Sequence, residues 1–248
     1  MRAIPPLPAA AAPQPVLGIL GGMGPVASAA FVRSLYREAA FRREQAAPAC
    51  ILLSDPLIPD RTQALLEGRG DEVLCRLIAG LERLEAAGAT RTLAACVTIH
   101  HWVPQLPPAL RRRLISLVDV ILDEVAATPG RALLLCTSGA RHVRIFESHP
   151  GWAAASGSIV LPGEGDQARV HRWVFALKAQ RRPRAVLDGI GEMTARYGAD
   201  RWISGCTEFH LAGNALRARG GDPAAIIDPL HVVARRLACF MAPAVRRQ

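Results

Sequence analysis

Aromatic residues make up only 5% of this 248-residue chain, and none of its six cysteines falls in a Cys-x-x-Cys pair. The cysteines (Cys50, Cys75, Cys96, Cys136, Cys206 and Cys239) are scattered, several in apolar strand-like surroundings. That distribution fits reduced thiols in a cytoplasmic protein and speaks against a disulfide framework. There is no His-Glu-x-x-His run, and the adjacent His100 and His101 cannot both face one metal from a helix, so no metal site is expected. No apolar run approaches the roughly 20 residues a membrane-spanning helix needs. The charge is lopsided, with 30 Lys and Arg against 21 Asp and Glu, a net +9. The arginines sit in short clusters along the chain (Arg42-Arg43, Arg111 to Arg113, Arg181-Arg182 with Arg184, Arg235-Arg236, Arg246-Arg247). With few aromatics to interleave, they read as a solvated surface and not as a nucleic-acid groove. Neither nucleic acid nor membrane is an expected partner.

What the chain has in quantity is apolar residues, 50% of the total, ample for a globular core. Met1 to Pro15 is rich in Ala and Pro. Pro5, Pro6, Pro8, Pro13 and Pro15 interrupt any continuous apolar stretch, and residues 1–15 read as a disordered extension. From Val16 onward, short apolar runs alternate with helical periodicity. Val16 to Leu20 leads into the turn Gly21 to Pro25, and Val26, Ala30, Phe31, Leu35 and Ala39 mark one face of a helix. Strand candidates follow at Cys50 to Leu53, Arg91 to Ala95, Arg131 to Leu135, Ser158 to Leu161, Arg201 to Ser204 and Ala224 to Ile227. Helices are expected over Val73 to Ala87, after Leu114 to Leu122, and over Ala140 to Glu147, Ala168 to Ala179, Ala185 to Tyr197 and Leu230 to Met241. Pro162 to Asp166 reads as a loop. The alternation predicts an α/β protein of parallel βαβ units, with ligands at the C-terminal ends of the strands.

The turn Gly22-Met23-Gly24-Pro25, with Ala27 beyond it, superficially fits a dinucleotide fingerprint. The acidic partner would have to be Asp55, about a dozen residues past the usual spacing of ~20, and Pro25 removes an N–H that should approach the pyrophosphate. A tight turn offering backbone N–H groups to a small carboxylate is the better reading, and no cofactor is expected. The two halves also share a motif. Cys96 follows an apolar strand and precedes Val97 and Thr98; Cys206 follows another and precedes Thr207 and Glu208. At a strand-to-helix turn the helix N-terminus should lower a thiol pKa toward neutrality, so both cysteines are candidate acid–base groups. Cys50, Cys75 and Cys239 read as ordinary packing residues, and Cys136 as secondary to the anion-binding Thr137, Ser138 and Gly139. Arg61, in a Pro-bounded loop, has the fork geometry for a bidentate carboxylate contact.

At these residues the chain resembles the PLP-independent aspartate/glutamate racemase superfamily, most closely its aspartate racemase branch. The resemblance runs from Val16 to Met241 and rests on Leu17 to Pro25 (LGILGGMGP), Pro59-Asp60-Arg61-Thr62, Cys96 to His100, Gly205 to Glu208 and Ile227-Asp228-Pro229. It implies two similar α/β lobes with parallel sheets flanked by helices, related by a pseudo-twofold axis with the active site between them. The expected division is a first lobe of residues 16–113 plus 219–248 and a second of 114–218. The resemblance also implies an isomerase in which Cys96 and Cys206 act on opposite faces of Cα. Met23, Thr98, Thr137, Ser138 and Thr207 would lie around the substrate and Arg61 would hold its side-chain carboxylate. The implied partners are a small carboxylate or amino-acid substrate and a second copy of the chain, as a homodimer.

Two positions depart from the family pattern. Val97 stands where the family has Asn, removing a donor and an acceptor from the expected substrate contacts. Arg169 falls near a basic residue that some members carry, but one residue of shift on a helix turns a side chain by about 100°. Three possibilities follow: an aspartate or glutamate racemase; a two-cysteine racemase, epimerase or isomerase for another, less polar carboxylic acid with Val97 lining its pocket; and a silent relative that only binds a ligand.

Overall fold

The computed structural model describes residues 14–39, 41–179 and 183–242. The extension expected over 1–15 therefore lies, apart from Gln14 and Pro15, outside the described residues, as do Arg181-Arg182 and Arg246-Arg247. The first half runs β1 (Val16–Gly21), α1 (Pro25–Glu38), β2 (Ala49–Ser54), α2 (Arg61–Leu66), α3 (Gly70–Ala86), β3 (Arg91–Ala94), a 3₁₀ segment (Thr98–Gln105), α4 (Pro108–Arg113) and β4 (Leu114–Ile115). The second half runs α5 (Leu117–Ala127), β5 (Ala132–Cys136), α6 (Ser138–His142), α7 (Trp152–Ala155), β6 (Ile159–Val160), α8 (Glu164–Lys178), α9 (Pro183–Arg196), β7 (Arg201–Gly205), α10 (Phe209–Ala218), β8 (Ile226–Ile227), α11 (Pro229–Arg235) and α12 (Leu237–Met241).

These strands form two four-stranded sheets with one topology, β2-β1-β3-β4 and β6-β5-β7-β8. Every pairing is parallel, as in Leu20 opposite Ala94 and Leu133 opposite Trp202. Parallel strands covered on both faces should be continuously apolar, and β5 (Ala-Leu-Leu-Leu-Cys) is buried throughout. In each sheet the chain steps one way from the first strand and then crosses to its other side. The crevice between β1 and β3, and that between β5 and β7, is thus a topological switch point where α/β sheets take ligands.

The lobes are fused through one core. Ile19, Phe31, Leu35 and Leu93 pack in a single apolar cluster with Leu134, Phe146, Ile227 and Leu230. The strand pairing divides the chain at different places from 114 and 219: Leu114–Ile115 completes the first sheet beside β3, and Ile226–Ile227 completes the second beside β7. Helices nevertheless cross over, α11 packing on α1 of the first lobe and on α5.

Polar caps explain the local differences from expectation. Ser116 accepts a hydrogen bond from the Asp119 N–H at 3.1 Å, so the helix expected after the apolar run Leu114 to Leu122 already begins within it, at Leu117. The expected loop Pro162 to Asp166 instead contains the first turn of α8, where Glu164 and Asp166 complement the helix's positive end.

Candidate active site

The β1–α1 turn requires its glycines. Gly22 holds φ +90°, a left-handed conformation that favours glycine, and a side chain there would run into the backbone of Asp55. Gly24 lies against Oε1 of Glu208 from the other lobe, leaving no room for a methyl group. Together with Met23, Asp60, Arg61, Lys178, Glu208 and Leu211 these residues line a cavity of about 230 Å³ between the lobes. Larger hollows exist, one of about 350 Å³ behind the 3₁₀ segment and one of about 530 Å³ at the start of β1. The inter-lobe cavity, however, is the one lined by Arg61, which neighbours Cys96, and by Glu208, which bonds Cys206, although neither thiol lines it itself. The chemistry and the switch points locate the site, and size does not.

Cys96 and Cys206 leave equivalent strands, β3 and β7, and both are almost completely buried. Their surroundings differ. Cys206 donates its Sγ–H to Oε2 of Glu208 at 2.8 Å. Burial, the Glu208 carboxylate and the nearby Cys96 together push the Cys206 thiol well above its ordinary range. The helix-terminus lowering expected at Cys206 is thus overturned: removal from water and a carboxylate neighbour outweigh the partial charge of α10. Cys96 lies beside Arg61. Burial opposes the charge of that guanidinium, but Cys96, Asp60 and Glu208 hold it above its ordinary range.

Arg61 is itself 93% buried, being only 7% exposed, and its two terminal nitrogens are taken by backbone carbonyls. Nη2 donates to Met23 at 2.7 Å, and Nη1 to Pro59 at 2.9 Å and to Ile58 at 3.3 Å. Three of its five N–H groups are therefore spent, which leaves the Nε–H and one Nη2–H of the expected fork. Arg61 brings its positive charge and an Nε–H without a partner. Met23 serves the site through that carbonyl and a buried side chain facing the cavity.

The threonines bind each other's lobes. Thr98 and Thr137 share a hydroxyl–hydroxyl bond of 3.0 Å, and Thr207 donates to the Ala95 carbonyl at 3.1 Å. Thr137 also caps α6, accepting from the Ala140 N–H at 3.0 Å. The half-buried Ser138 donates its N–H to His171 Nδ1 at 3.2 Å, and burial keeps that imidazole below its ordinary range and neutral. The threonine hydroxyls expected around a substrate carboxylate thus meet across the two lobes just beyond the strand ends.

Val97 and Arg169 do not join them. Val97 is buried in the apolar cluster shared by the lobes, with Ala95, Cys136 and Ala140. Arg169 stacks on Trp173 with its guanidinium carbon 5.0 Å from the ring centre, and reaches Glu192 at 3.7 Å on the α8–α9 surface. The basic residue at the site is Lys178, at the last position of α8. Its Nζ lies 3.3 Å from Asp60 Oδ2 and 4.9 Å from the centre of the Phe175 ring. Burial opposes its charge, but Glu208, Cys206 and Asp60 hold Lys178 above its ordinary range. Lys178 lies nine residues after Arg169, two and a half helical turns, which places it on the opposite side of α8. Sequence reasoning missed it, and its only signal was the position of a lone lysine at a helix end.

Glu208 is legible in the sequence only as part of the motif that follows Cys206. Its carboxylate is buried, with Oε2 on the Cys206 thiol and Oε1 without a hydrogen-bond partner. Among the described residues no cluster of His, Cys, Asp and Glu suits a metal ion. No helix among them is long and apolar enough to cross a membrane.

Comparison with known proteins agrees with this fold. A glutamate racemase from Deinococcus radiodurans is 29% identical over 172 residues, 67% of this chain and 59% of that protein's length. Among solved structures, the aspartate racemase of Picrophilus torridus superposes with a TM-score of 0.77 at 22% identity, covering 92% of this chain and 94% of that one. An aspartate racemase homologue from Pyrococcus horikoshii gives 0.64 at 20% identity over 91% and 98% of the two chains. A glutamate racemase from Campylobacter jejuni gives 0.57 at 16% identity over 90% and 84%. At these identities the structural likeness establishes the fold. The Asp/Glu/hydantoin racemase family model matches residues 20–237, nearly the whole described chain, and the protein belongs to that family.

Proposed function

We propose that the protein is a cofactor-independent amino-acid racemase acting on aspartate or glutamate, with Cys96 and Cys206 as its two acid–base groups. The observation that carries this reading is the pair of buried thiols at equivalent switch points of two identical sheets, one beside a guanidinium and the other bonded to a carboxylate. Cys96, beside Arg61, is placed to take the α-proton as thiolate. Cys206, keeping its proton against Glu208, is placed to return one to the opposite face. The α-proton of an amino acid is a far weaker acid than a thiol, so the carbanion needs donors around the α-carboxylate and a site closed to water. Thr98, Thr137, Ser138 and Thr207 support that role by converging at the strand ends. Substrate entry exchanges the cross-lobe bonds of the three threonines for bonds to the carboxylate. Lys178, with two N–H groups beyond its Asp60 contact, and the Arg61 charge suit the side-chain carboxylate of an acidic substrate. Because Val97 packs in the core, it gives no support to a pocket reshaped for a less polar acid.

The test is proton NMR in D₂O with both enantiomers of aspartate, glutamate and a panel of other α-amino acids. Loss of the α-proton signal from aspartate or glutamate supports the reading. Exchange confined to other amino acids, or absent throughout, rejects it. A homodimer is part of the same proposal, and light scattering that returns a monomer at micromolar concentration rejects that part.

A further inference from the structure

Two carboxylates line the inter-lobe cavity, and they are in different states. Asp60 is fully engaged, Oδ1 accepting from the Gln63 N–H at 3.1 Å and Oδ2 facing Lys178 Nζ at 3.3 Å. Glu208 is half engaged: Oε2 holds the Cys206 thiol at 2.8 Å, while Oε1 is buried against Gly24 and has no partner. An unpaired carboxylate oxygen away from water is costly unless a donor arrives, and a cationic donor satisfies it best. Arg61 and Lys178 act on Glu208 through space, but their hydrogen bonds go to three carbonyls and to Asp60.

We propose that Glu208 Oε1 receives the α-ammonium group of the substrate, so that the site selects free α-amino acids over analogues whose α-position is deaminated, hydroxylated or acylated. This rests on the amino-acid reading above and names the group that enforces it. The placement is chemically coherent, because the ammonium of an amino acid is bonded to the carbon that must lose its proton. A donor beside the Cys206 thiol therefore brings Cα to that thiol. It also links binding to acid–base chemistry. An ammonium on Oε1 draws charge from Oε2, loosens the Sγ–H···Oε2 bond and eases transfer of the Cys206 proton, which an empty site keeps locked.

The test is calorimetric binding to the full-length chain with matched pairs: aspartate and succinate, glutamate and glutarate, alanine and propionate. In the wild type the amino acid of the preferred pair should bind at least about tenfold more tightly than its deamino partner, the scale of a charge-assisted hydrogen bond. In Glu208→Gln that ratio should fall to near one, with the deamino acid still bound, which also shows that the variant is folded. A ratio unchanged in Glu208→Gln overturns the assignment of the ammonium to Glu208. Equal binding of amino and deamino acids by the wild type overturns it too, while leaving a carboxylate site in place. A wild type that binds none of the amino acids overturns the amino-acid reading and this inference with it.

Discussion

Cys96 and Cys206 have a matching residue four positions on, His100 and His210, and the two histidines do different work. His100 is buried with both ring nitrogens engaged inside one continuous segment: Nε2 accepts from the Leu117 N–H at 3.0 Å, so Nδ1 carries the proton and donates to the Cys96 carbonyl at 2.9 Å. Burial holds it below its ordinary range and neutral. His210 bridges three elements, with Nδ1 on Asp228 at 2.7 Å and Nε2 on Ser34 of α1 at 2.9 Å. Arg217 closes on the same Asp228 oxygen at 2.8 Å. The first turn is thus fixed by neutral hydrogen bonds close to its own backbone, the second by a buried ionic network reaching across to the other lobe. The thiols follow the same division, one beside a cation and one on a carboxylate. The shared topology supplies two equivalent turns, and their neighbours make them chemically unequal.

The comparison is broken most severely by removing either thiol. Cys96→Ala and Cys206→Ala should each lower racemisation by about 10³-fold or more, measured as α-proton exchange and optical rotation, since each removes a general acid–base group. A variant with near wild-type turnover removes that cysteine from the scheme. Next in size is Asp228→Asn, which strips the buried network of its charge and leaves Arg217 uncompensated. A loss of about 3–5 kcal/mol is expected in urea unfolding. His210 and Arg217 hold the Asp228 carboxylate far below the usual range even against burial, so its contribution is present above the unfolded value near pH 4 and is lost as pH falls through the folded one. Acid unfolding of the wild type should therefore be steep below about pH 4 and flatter in Asp228→Asn.

Lys178→Met sharpens the assignment of the cation on the carboxylate side of the cavity. KM for the acidic substrate should rise about tenfold, the scale of a lost charge-assisted contact, with a smaller change in kcat. An unchanged KM removes Lys178 from the site. Val97→Asn places an amide in the shared core and should cost about 1–3 kcal/mol in thermal or urea unfolding without creating activity. A gain of aspartate turnover at unchanged stability contradicts the core placement. Arg169→Ala is the control: activity should stay the same and stability should move by no more than about 0.5 kcal/mol.

The sequence carried the fold because parallel strands covered on both faces must be apolar, and runs such as Ala132 to Cys136 are short, uninterrupted and bounded by turns. It carried the two cysteines because each stands at the end of such a run, where the topology places ligands. It also carried the glycine turn, whose Gly22 conformation and Gly24 clearance only glycine provides. What it could not carry were properties set by distant neighbours. Lys178 lies 118 residues from Asp60, Thr207 lies 112 from Ala95, and Ser34 lies 176 from His210. Nothing local marks Lys178 as a site residue, Arg169 as a surface one, or Val97 as part of the core. The same limit reversed the expectation for the Cys206 thiol: a helix terminus can be read locally, whereas burial and a carboxylate's approach depend on how two lobes close. Strand order and turn chemistry follow from short-range pattern, but charge, burial and hydrogen-bond partner are sums over everything nearby, and only the tertiary structure decides what is nearby.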